Sequence, residues 1–254
     1  MINADTHRVR MGDIVTAIAL LTRLPVVASF ERSAAAAWAY PIAGAVVAAI
    51  AGVLSWVCLG LGVPAGIAAI VWIASSAVIT GAMHEDGLAD TVDGFWGGWE
   101  PARRLEIMKD SQIGSYGVIA LCLSLALRWS VVAGLMTQGA WFWPLVAIAM
   151  VSRACMPAIM VALPHARQTG LSHAQGVPPQ KNAEIGAFLA GSALVVVLGF
   201  SAIWMLVLVA ISTVLVAGLA RHKIGGQTGD VLGACQQVAE ITLLIALSTQ
   251  LSLG

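Results

Sequence analysis

Charged side chains are scarce in this sequence, which has 13 lysine and arginine residues and 13 aspartate and glutamate residues among 254. They make up 10% of the chain, against roughly 25% in a soluble domain. So few charges cannot provide the polar surface of a water-soluble fold of this length. The formal net charge is zero, so the composition also gives no indication of nucleic acid as a partner.

Several motifs of familiar chemistry are missing as well. The four cysteines stand singly in apolar stretches without CxxC spacing, which is typical of buried free thiols. The chain contains no HExxH, no GxxxxGKS/T and no GxSxG, so zincin, P-loop and serine-hydrolase chemistry are disfavoured. The N-terminal residues include acids and no small-residue cleavage site after an apolar core, so we expect no cleavable signal peptide.

Long apolar runs dominate what is present, because 59% of the residues are hydrophobic. Runs of roughly 20 such residues cross a bilayer as helices, so the sequence predicts an all-α, polytopic integral membrane bundle forming one domain over residues 1–254. A short apolar segment at 12–24 is predicted as an amphipathic or re-entrant helix. The seven predicted transmembrane helices cover residues 36–60, 64–83, 114–137, 140–163, 184–200, 202–220 and 232–252.

Basic residues outside these spans lie in alternate connections, and the other connections are short and uncharged. The positive-inside rule therefore places all the charged connections in the cytoplasm, with the N-terminus inside and the C-terminus outside. The basic residues are Arg8, Arg10, Arg23 and Arg32, then Arg103, Arg104 and Lys109, then Arg167 and Lys181, and then Arg221 and Lys223.

The longest polar interval runs from His84 to Gly117 and holds seven of the 13 acidic residues. Asp86, Asp90 and Asp93 are spaced i, i+4 and i+7, which places three carboxylates on one face of a helix. Like charges on one face repel, and carboxylate oxygens are the ligands that Mg²⁺ prefers. The spacing thus predicts a metal-dependent reaction centre, with a solvated acidic loop as the alternative.

Basic residues and a glycine-rich turn complete the candidate site. Arg103 and Lys109 follow the acidic face closely, and cations beside a carboxylate–Mg²⁺ centre suit phosphoryl transfer. Membrane anchoring is the alternative interpretation of Arg103. A turn at Gly225–Asp230 precedes the last span, where backbone N–H groups could bind an anion; alternatively, Asp230 caps that helix.

Two arginines and Glu240 fall in the interior of predicted spans. An arginine in hydrocarbon costs ~2.5–3.5 kcal/mol on insertion scales. Arg153 is interpreted either as functional or as the structural partner of Glu240, itself a candidate functional residue. Arg128 is expected to extend outward to the membrane surface.

Four segments resemble one known family. HEDGLADTVDG, EIMKDSQIGSYG and IGGQTGDVLGACQQVAE, together with the early LLTRLP, are similar to the motifs of the cobalamin synthase family, the adenosylcobinamide-GDP ribazoletransferases. The resemblance covers residues 12–240 in the same order. One departure is Arg128, where lysine is common in the family.

The resemblance implies a multi-pass enzyme of the bacterial inner membrane with a cytoplasmic active site. The implied reaction is a Mg²⁺-dependent transfer, with one or two ions, from adenosylcobinamide-GDP to α-ribazole or its 5′-phosphate, releasing GMP. Other nucleotide-loop assembly enzymes are candidate partners. The family's acidic motif falls on Asp86, Asp90 and Asp93, with His84 before it, its KDS element on Lys109, Asp110 and Ser111, and its C-terminal element on Thr228, Gly229, Asp230 and Glu240. We expect the three aspartates to hold the metal and His84 to be the candidate base. The residues expected to bind substrate are Arg23, Arg103, Lys109, Ser111, Arg167, Asp230 and Glu240.

Two rival functions remain open at this point. A transporter would use the intramembrane Arg153 and Glu240 as part of an ion or substrate pathway, although the spans show no clear internal repeat. A non-catalytic scaffold for the assembly enzymes would have no need of three aspartates on one helical face.

Overall fold

The computed structural model describes residues 9–251, so Arg8 and the last residue of the final predicted span lie outside the described residues. Within that range the fold is helical. A 3₁₀ turn at Ala35–Ala39 leads into the second helix. The helices are α1 (Gly12–Leu21), α2 (Tyr40–Gly60), α3 (Ala65–Thr80), α4 (Met83–Gly97), α5 (Pro101–Ile107), α6 (Ser115–Gln138), α7 (Phe142–Ala162), α8 (Leu171–Gln175), α9 (Gln180–Leu198), α10 (Ser201–Ile224) and α11 (Gly229–Leu251).

Six helical stretches in the described range are long and apolar enough to cross a membrane, which confirms a polytopic helical membrane fold. They are Ala35–Gly60, Ser115–Gln138, Phe142–Ala162, Gln180–Leu198, Ser201–Ile224 and Gly229–Thr249. The second predicted span is different. Its helix α3 ends at Thr80, and α3 qualifies as a seventh span only when it is joined to α4, which turns away from it by 86°.

The bend between α3 and α4 has a visible backbone cause. Gly81 and Ala82 both adopt left-handed conformations, with φ of 66° and 56°. Glycine reaches this region without strain, whereas alanine rarely does. The chain therefore leaves the axis of α3 abruptly, and the polar interval begins as a separate helix.

The polar loops are shorter than the sequence predicted. The third one, expected at 221–230, shrinks to residues 225–228, because α10 continues to Ile224 and α11 begins at Gly229. Arg221, His222 and Lys223 occupy the last turn of α10, where positive charge complements the helix dipole. The first polar interval is likewise mostly helical, since it forms α4 and α5.

Helices α7 and α11 form the centre of the bundle, with 78% and 72% of their spanning windows buried. The short helix α1 packs against α2 and buries Ala17, Leu20 and Leu21. Its Asp13 accepts a hydrogen bond from the Trp38 indole at 3.0 Å. The 12–24 segment is therefore a helix docked on the bundle, and its position relative to the bilayer stays a prediction.

Candidate functional site

The candidate site forms where α4 crosses α11, and two glycines allow the close approach. A Cβ atom at Gly87 would lie 2.7 Å from the carbonyl oxygen of Asp230, and one at Gly233 would lie 3.1 Å from that of Met83. Only residues without side chains fit at such a crossing. The crossing brings the acidic face of α4 against the first turn of α11, which carries Asp230.

Asp86 and Asp90 lie on the open part of this face. Asp90 is half-buried, and its carboxylate interacts electrostatically with those of Asp86, Asp230 and Asp93, with Arg167 as the opposing positive charge. Four carboxylates facing one arginine leave excess negative charge, which a cation would offset. The predicted acidic face is thus present, and it includes Asp230 from the third loop.

Asp93 has a different environment from the other two aspartates. Its carboxylate oxygens accept hydrogen bonds from the backbone N–H groups of Gly114 at 2.7 Å and Gly117 at 2.9 Å. These groups begin α6 and would otherwise lack intrahelical partners. Asp93 therefore caps α6 from a neighbouring helix, and its predicted role as a metal ligand stays a prediction.

Replacing Asp93 with alanine should destabilise the protein as well as affecting activity. The loss of a capping carboxylate typically costs about 0.5–2 kcal/mol. Thermal unfolding in detergent should detect the change as a lower midpoint. The matched Asp86→Ala variant removes a carboxylate with no such cap, so an equal loss of stability in both variants would contradict the capping role.

The second and third polar loops are joined to each other beside this crossing. Arg167 donates to Asp230 at 2.9 Å, and the Thr228 hydroxyl accepts from Val231 N–H and donates to Asp230 at 3.2 Å. The helix cap of α11 is therefore Thr228, so the interpretation of Asp230 as the cap is wrong. Asp230 instead points to Arg167, which the sequence alone did not pair with it.

Gln227 connects the same two loops more deeply. Its buried side-chain amide donates to Nδ1 of His165 at 2.9 Å and accepts from the Ser172 hydroxyl at 2.7 Å. Partial burial, and then the neighbouring His173, lowers the pKa of His165. This favours the neutral ring, whose Nδ1 can accept the bond from Gln227.

Two cavities flank α4, and Asp86 lines both of them. The inner cavity, of about 170 Å³, has a polar wall that includes His84, Arg167 and Asp230. The outer cavity, of about 530 Å³, is lined by Asp90 together with Lys109 and other polar residues, among them Asp110, Ser111 and Gln112. Two ligands could thus reach Asp86 from two separate cavities.

Three residues that line the inner cavity have a polar atom that is buried without a hydrogen-bond partner in the described part of the chain. These atoms are Nε2 of His84, Nη1 of Arg167 and Oε1 of Gln175. Buried polar atoms normally find partners, so unpaired ones that line a cavity suggest a ligand. His84 is a candidate proton acceptor by position, and Arg167 a candidate anion contact.

Some of the other predicted substrate-binding residues line a cavity, and others lie away from the cavities. Lys109 and Ser111 line the outer cavity. Arg23 is exposed, packs against Gly81 and lines a further cavity beside the inner one. Arg103 forms an exposed ion pair with Glu106 at 2.7 Å, so its position gives no support to the predicted substrate contact.

Glu240 belongs to a buried polar network and not to either cavity that Asp86 lines. Arg128 forms salt bridges with Glu85 at 2.9 Å and Glu240 at 3.1 Å, and its side chain is 2% exposed. The expectation that Arg128 extends outward is therefore wrong. The carboxylates of Glu85 on α4 and Glu240 on α11 pair with this arginine of α6. These ion pairs offset the free-energy cost of burying its charge.

The network continues through the glutamines of α11. Gln237 donates to Glu85 at 3.2 Å, and Gln236 donates to Glu240 at 2.6 Å and to the Ser152 hydroxyl at 3.1 Å. Arg153 donates to the carbonyl of Ala149 at 3.1 Å and lines a small void with Glu240. The ion-pair partner of Glu240 is thus Arg128, whereas the sequence suggested Arg153.

No group of three His, Cys, Asp or Glu side chains within residues 9–251 is arranged to hold a metal ion by itself. Mg²⁺, however, usually keeps several waters and is bound through one or two carboxylates plus substrate phosphates. The chemistry of Asp86 and Asp90 fits that smaller donor set.

The comparison with protein families decides the class of this molecule. Residues 13–248 match the model of the cobalamin-5-phosphate synthase family. The chain belongs to this family. Its members include proteins named adenosylcobinamide-GDP ribazoletransferase, so the chain is a transferase that acts in assembly of the cobalamin nucleotide loop.

Curated relatives match over nearly their whole length. The adenosylcobinamide-GDP ribazoletransferase of Bradyrhizobium diazoefficiens is 41% identical, with 95% of each chain covered. The proteins of the same name from Mesorhizobium japonicum and Azorhizobium caulinodans are 39% and 40% identical, with at least 94% of each chain covered. No solved structure matches the chain.

Sequence reasoning missed several residues that shape the site. Gln227, Ser172 and His165 join two loops that are about 60 residues apart in sequence, and no local pattern marks such a contact. A signal for the Asp93 cap was present, because Gly114 and Gly117 flank the start of α6, and glycines there permit close approach by another group.

Proposed function

We propose that this protein transfers the adenosylcobinamide phosphate moiety from adenosylcobinamide-GDP to α-ribazole or its 5′-phosphate and releases GMP. The observation that carries the proposal is the position of Asp86 between two cavities at the α4–α11 crossing. A group transfer between two large molecules needs two approaches to one centre. The names of the relatives supply the donor and the ribazole acceptor.

In the proposed reaction, a secondary ribose hydroxyl of the acceptor, which is free in both α-ribazole and its 5′-phosphate, attacks the phosphorus nearest cobinamide. A new P–O bond forms, the bond from that phosphorus to the oxygen of the GMP phosphate breaks, and GMP leaves. Nε2 of His84 would accept the proton of the attacking hydroxyl, since His84 lines the inner cavity and this atom has no partner in the described residues.

The donor's diphosphate needs positive charge beside the α4 carboxylates. Lys109 and the Ser111 hydroxyl would bind it in the outer cavity, and Arg167, which interacts electrostatically with Asp90, would offset its charge from the neighbouring inner cavity. Asp86 and Asp90 would hold Mg²⁺ together with the phosphate oxygens. When bound there, Mg²⁺ neutralises the charge that develops on the phosphate oxygens.

The proposed setting is the bacterial inner membrane, with the site facing the cytoplasm. The charged connections in the described chain lie at alternate helix ends, which supports this orientation. Nucleotide-linked substrates such as these would reach the site from the cytoplasm.

The direct test is GMP release by the purified protein in liposomes. We expect release only when adenosylcobinamide-GDP and α-ribazole are both present. A transporter would instead move one substrate across the bilayer down a gradient without forming GMP, and that outcome would overturn the proposal. The interior pairing of Glu240 with Arg128 favours a structural role for these charges over a transport pathway.

A further inference from the structure

The inner cavity has one wall that the proposed transfer chemistry does not use. Besides its charged residues, the cavity is lined by large apolar and aromatic side chains from α1, α2, α7 and α11, which form what we call its apolar wall. These residues are Leu20, Leu21, Tyr40, Met156, Met160 and Leu232. The outer cavity has no aromatic side chain in its lining, and its polar residues include Asp90, Lys109 and Asp110.

We infer that this apolar wall binds the aromatic base of the acceptor nucleoside and selects among bases. The inference rests on the proposed function, because it assigns one of its two substrates to the inner side of α4. Apolar cavities of about 150 Å³ accommodate a benzene ring. A cavity of about 170 Å³ therefore has room for a small aromatic base and is too small for a corrin ring.

The side chains of α7 match the chemistry of such a base. Met156 and Met160 are spaced i, i+4, so they lie on one face of α7, and both are buried. Methionine thioethers make favourable contacts with aromatic rings, and their flexible chains fit around methyl substituents. The dimethylbenzimidazole of α-ribazole offers both features, whereas a purine would place unpaired ring nitrogens against this wall.

The charged wall then receives the other end of the same nucleoside. A ribose attached to a base on the apolar wall would place its attacking hydroxyl near His84 and Asp86, which line the same cavity. The donor's diphosphate would meet Asp86 from the outer side, beside Lys109. Because Asp86 lines both cavities, the attacking oxygen and the reacting phosphorus could meet beside its carboxylate.

A route into the inner cavity lies between α1, α4 and α8. Leu20, Met83, Leu171 and Gln175 line both the inner cavity and a neighbouring one of about 390 Å³ that contains Arg23. A nucleoside could thus pass Arg23 before its base reaches the apolar wall. This gives Arg23 a position on the acceptor's path, although not at the reacting atoms.

The test compares α-ribazole with the nucleoside that carries unsubstituted benzimidazole, by steady-state GMP release from full-length protein in liposomes. We measure the preference for the dimethylated base as the ratio of the kcat/KM values for the two nucleosides. This ratio should be about tenfold lower in the Met160→Ala variant than in wild type. The change should appear in KM for the nucleoside, with KM for adenosylcobinamide-GDP unchanged. An unchanged preference, or an increase confined to the KM of adenosylcobinamide-GDP, would overturn the base subsite.

Two further variants make the result decisive. Met150→Ala makes the same substitution on the same helix outside the cavity lining, so it should leave the preference at the wild-type ratio. If Met160→Ala does not fold, Met160→Leu keeps the side-chain volume and should still reduce the preference, by about threefold. GMP release by wild type with neither nucleoside would refute the proposed function, whereas release with an unshifted preference in the Met160 variants refutes only the base subsite.

Discussion

Asp90→Asn should abolish GMP release while the protein still inserts and folds. Asp90 interacts with the carboxylates of Asp86 and Asp230 and with Arg167, and in the proposed mechanism it holds the cation that neutralises the reacting phosphates. Electrostatic groups of this kind contribute about 10²–10³-fold to turnover when a single one is removed. We expect a loss of roughly a thousandfold in kcat, measured with both substrates saturating.

The same substitution at an exposed position gives the control. Glu184→Gln also replaces a carboxylate with an amide, but Glu184 is exposed on α9 and bonds to the Gln180 side chain at 2.8 Å. It should keep wild-type turnover. Wild-type kcat in Asp90→Asn would show that the α4 carboxylates are not part of the reaction centre.

Arg128→Met should strongly destabilise the fold, because it leaves Glu85 and Glu240 buried without their cation. Removing one partner of a buried ion pair costs about 3–5 kcal/mol. For a chain of this length we expect the thermal unfolding midpoint in detergent to fall by on the order of 10 °C. Activity should fall too, since Glu85 precedes Asp86 on α4.

A control variant separates the loss of stability in Arg128→Met from a general effect of removing a positive charge. Arg221→Met changes an exposed arginine in the last turn of α10 and should shift the midpoint by no more than a small fraction of that amount. Adding Glu240→Gln to Arg128→Met should recover part of the lost stability, because one uncompensated buried charge disappears. A further loss in the double variant would contradict the network as described.

The helical spans could be predicted because their signal is local. Apolar runs of bilayer length mark α2, α6, α7 and α9–α11 directly in the sequence. The bend after α3 could not be predicted, because the left-handed backbone at Ala82 is unusual for that residue type. Tertiary packing holds Ala82 in this left-handed conformation, although alanine intrinsically disfavours it.

The acidic face of the site was predictable, and its partners were not. The i, i+4 spacing of Asp86 and Asp90 depends only on helix geometry. The pairs Arg167–Asp230 and Arg128–Glu240 are separated by 63 and 112 positions, and they depend on how α11 packs against its neighbours. Residue spacing carries no information on such contacts, which is why Arg128 was expected at the membrane surface.

The most direct test of the central claim measures GMP release as a function of free Mg²⁺, with protein, adenosylcobinamide-GDP and α-ribazole first treated with EDTA. The proposed mechanism predicts no release in EDTA, full recovery on addition of Mg²⁺, and a higher Mg²⁺ requirement in Asp86→Asn than in wild type. Release at the full rate in EDTA, or an unchanged Mg²⁺ requirement in Asp86→Asn, would contradict a metal-dependent transfer centred on the aspartates of α4.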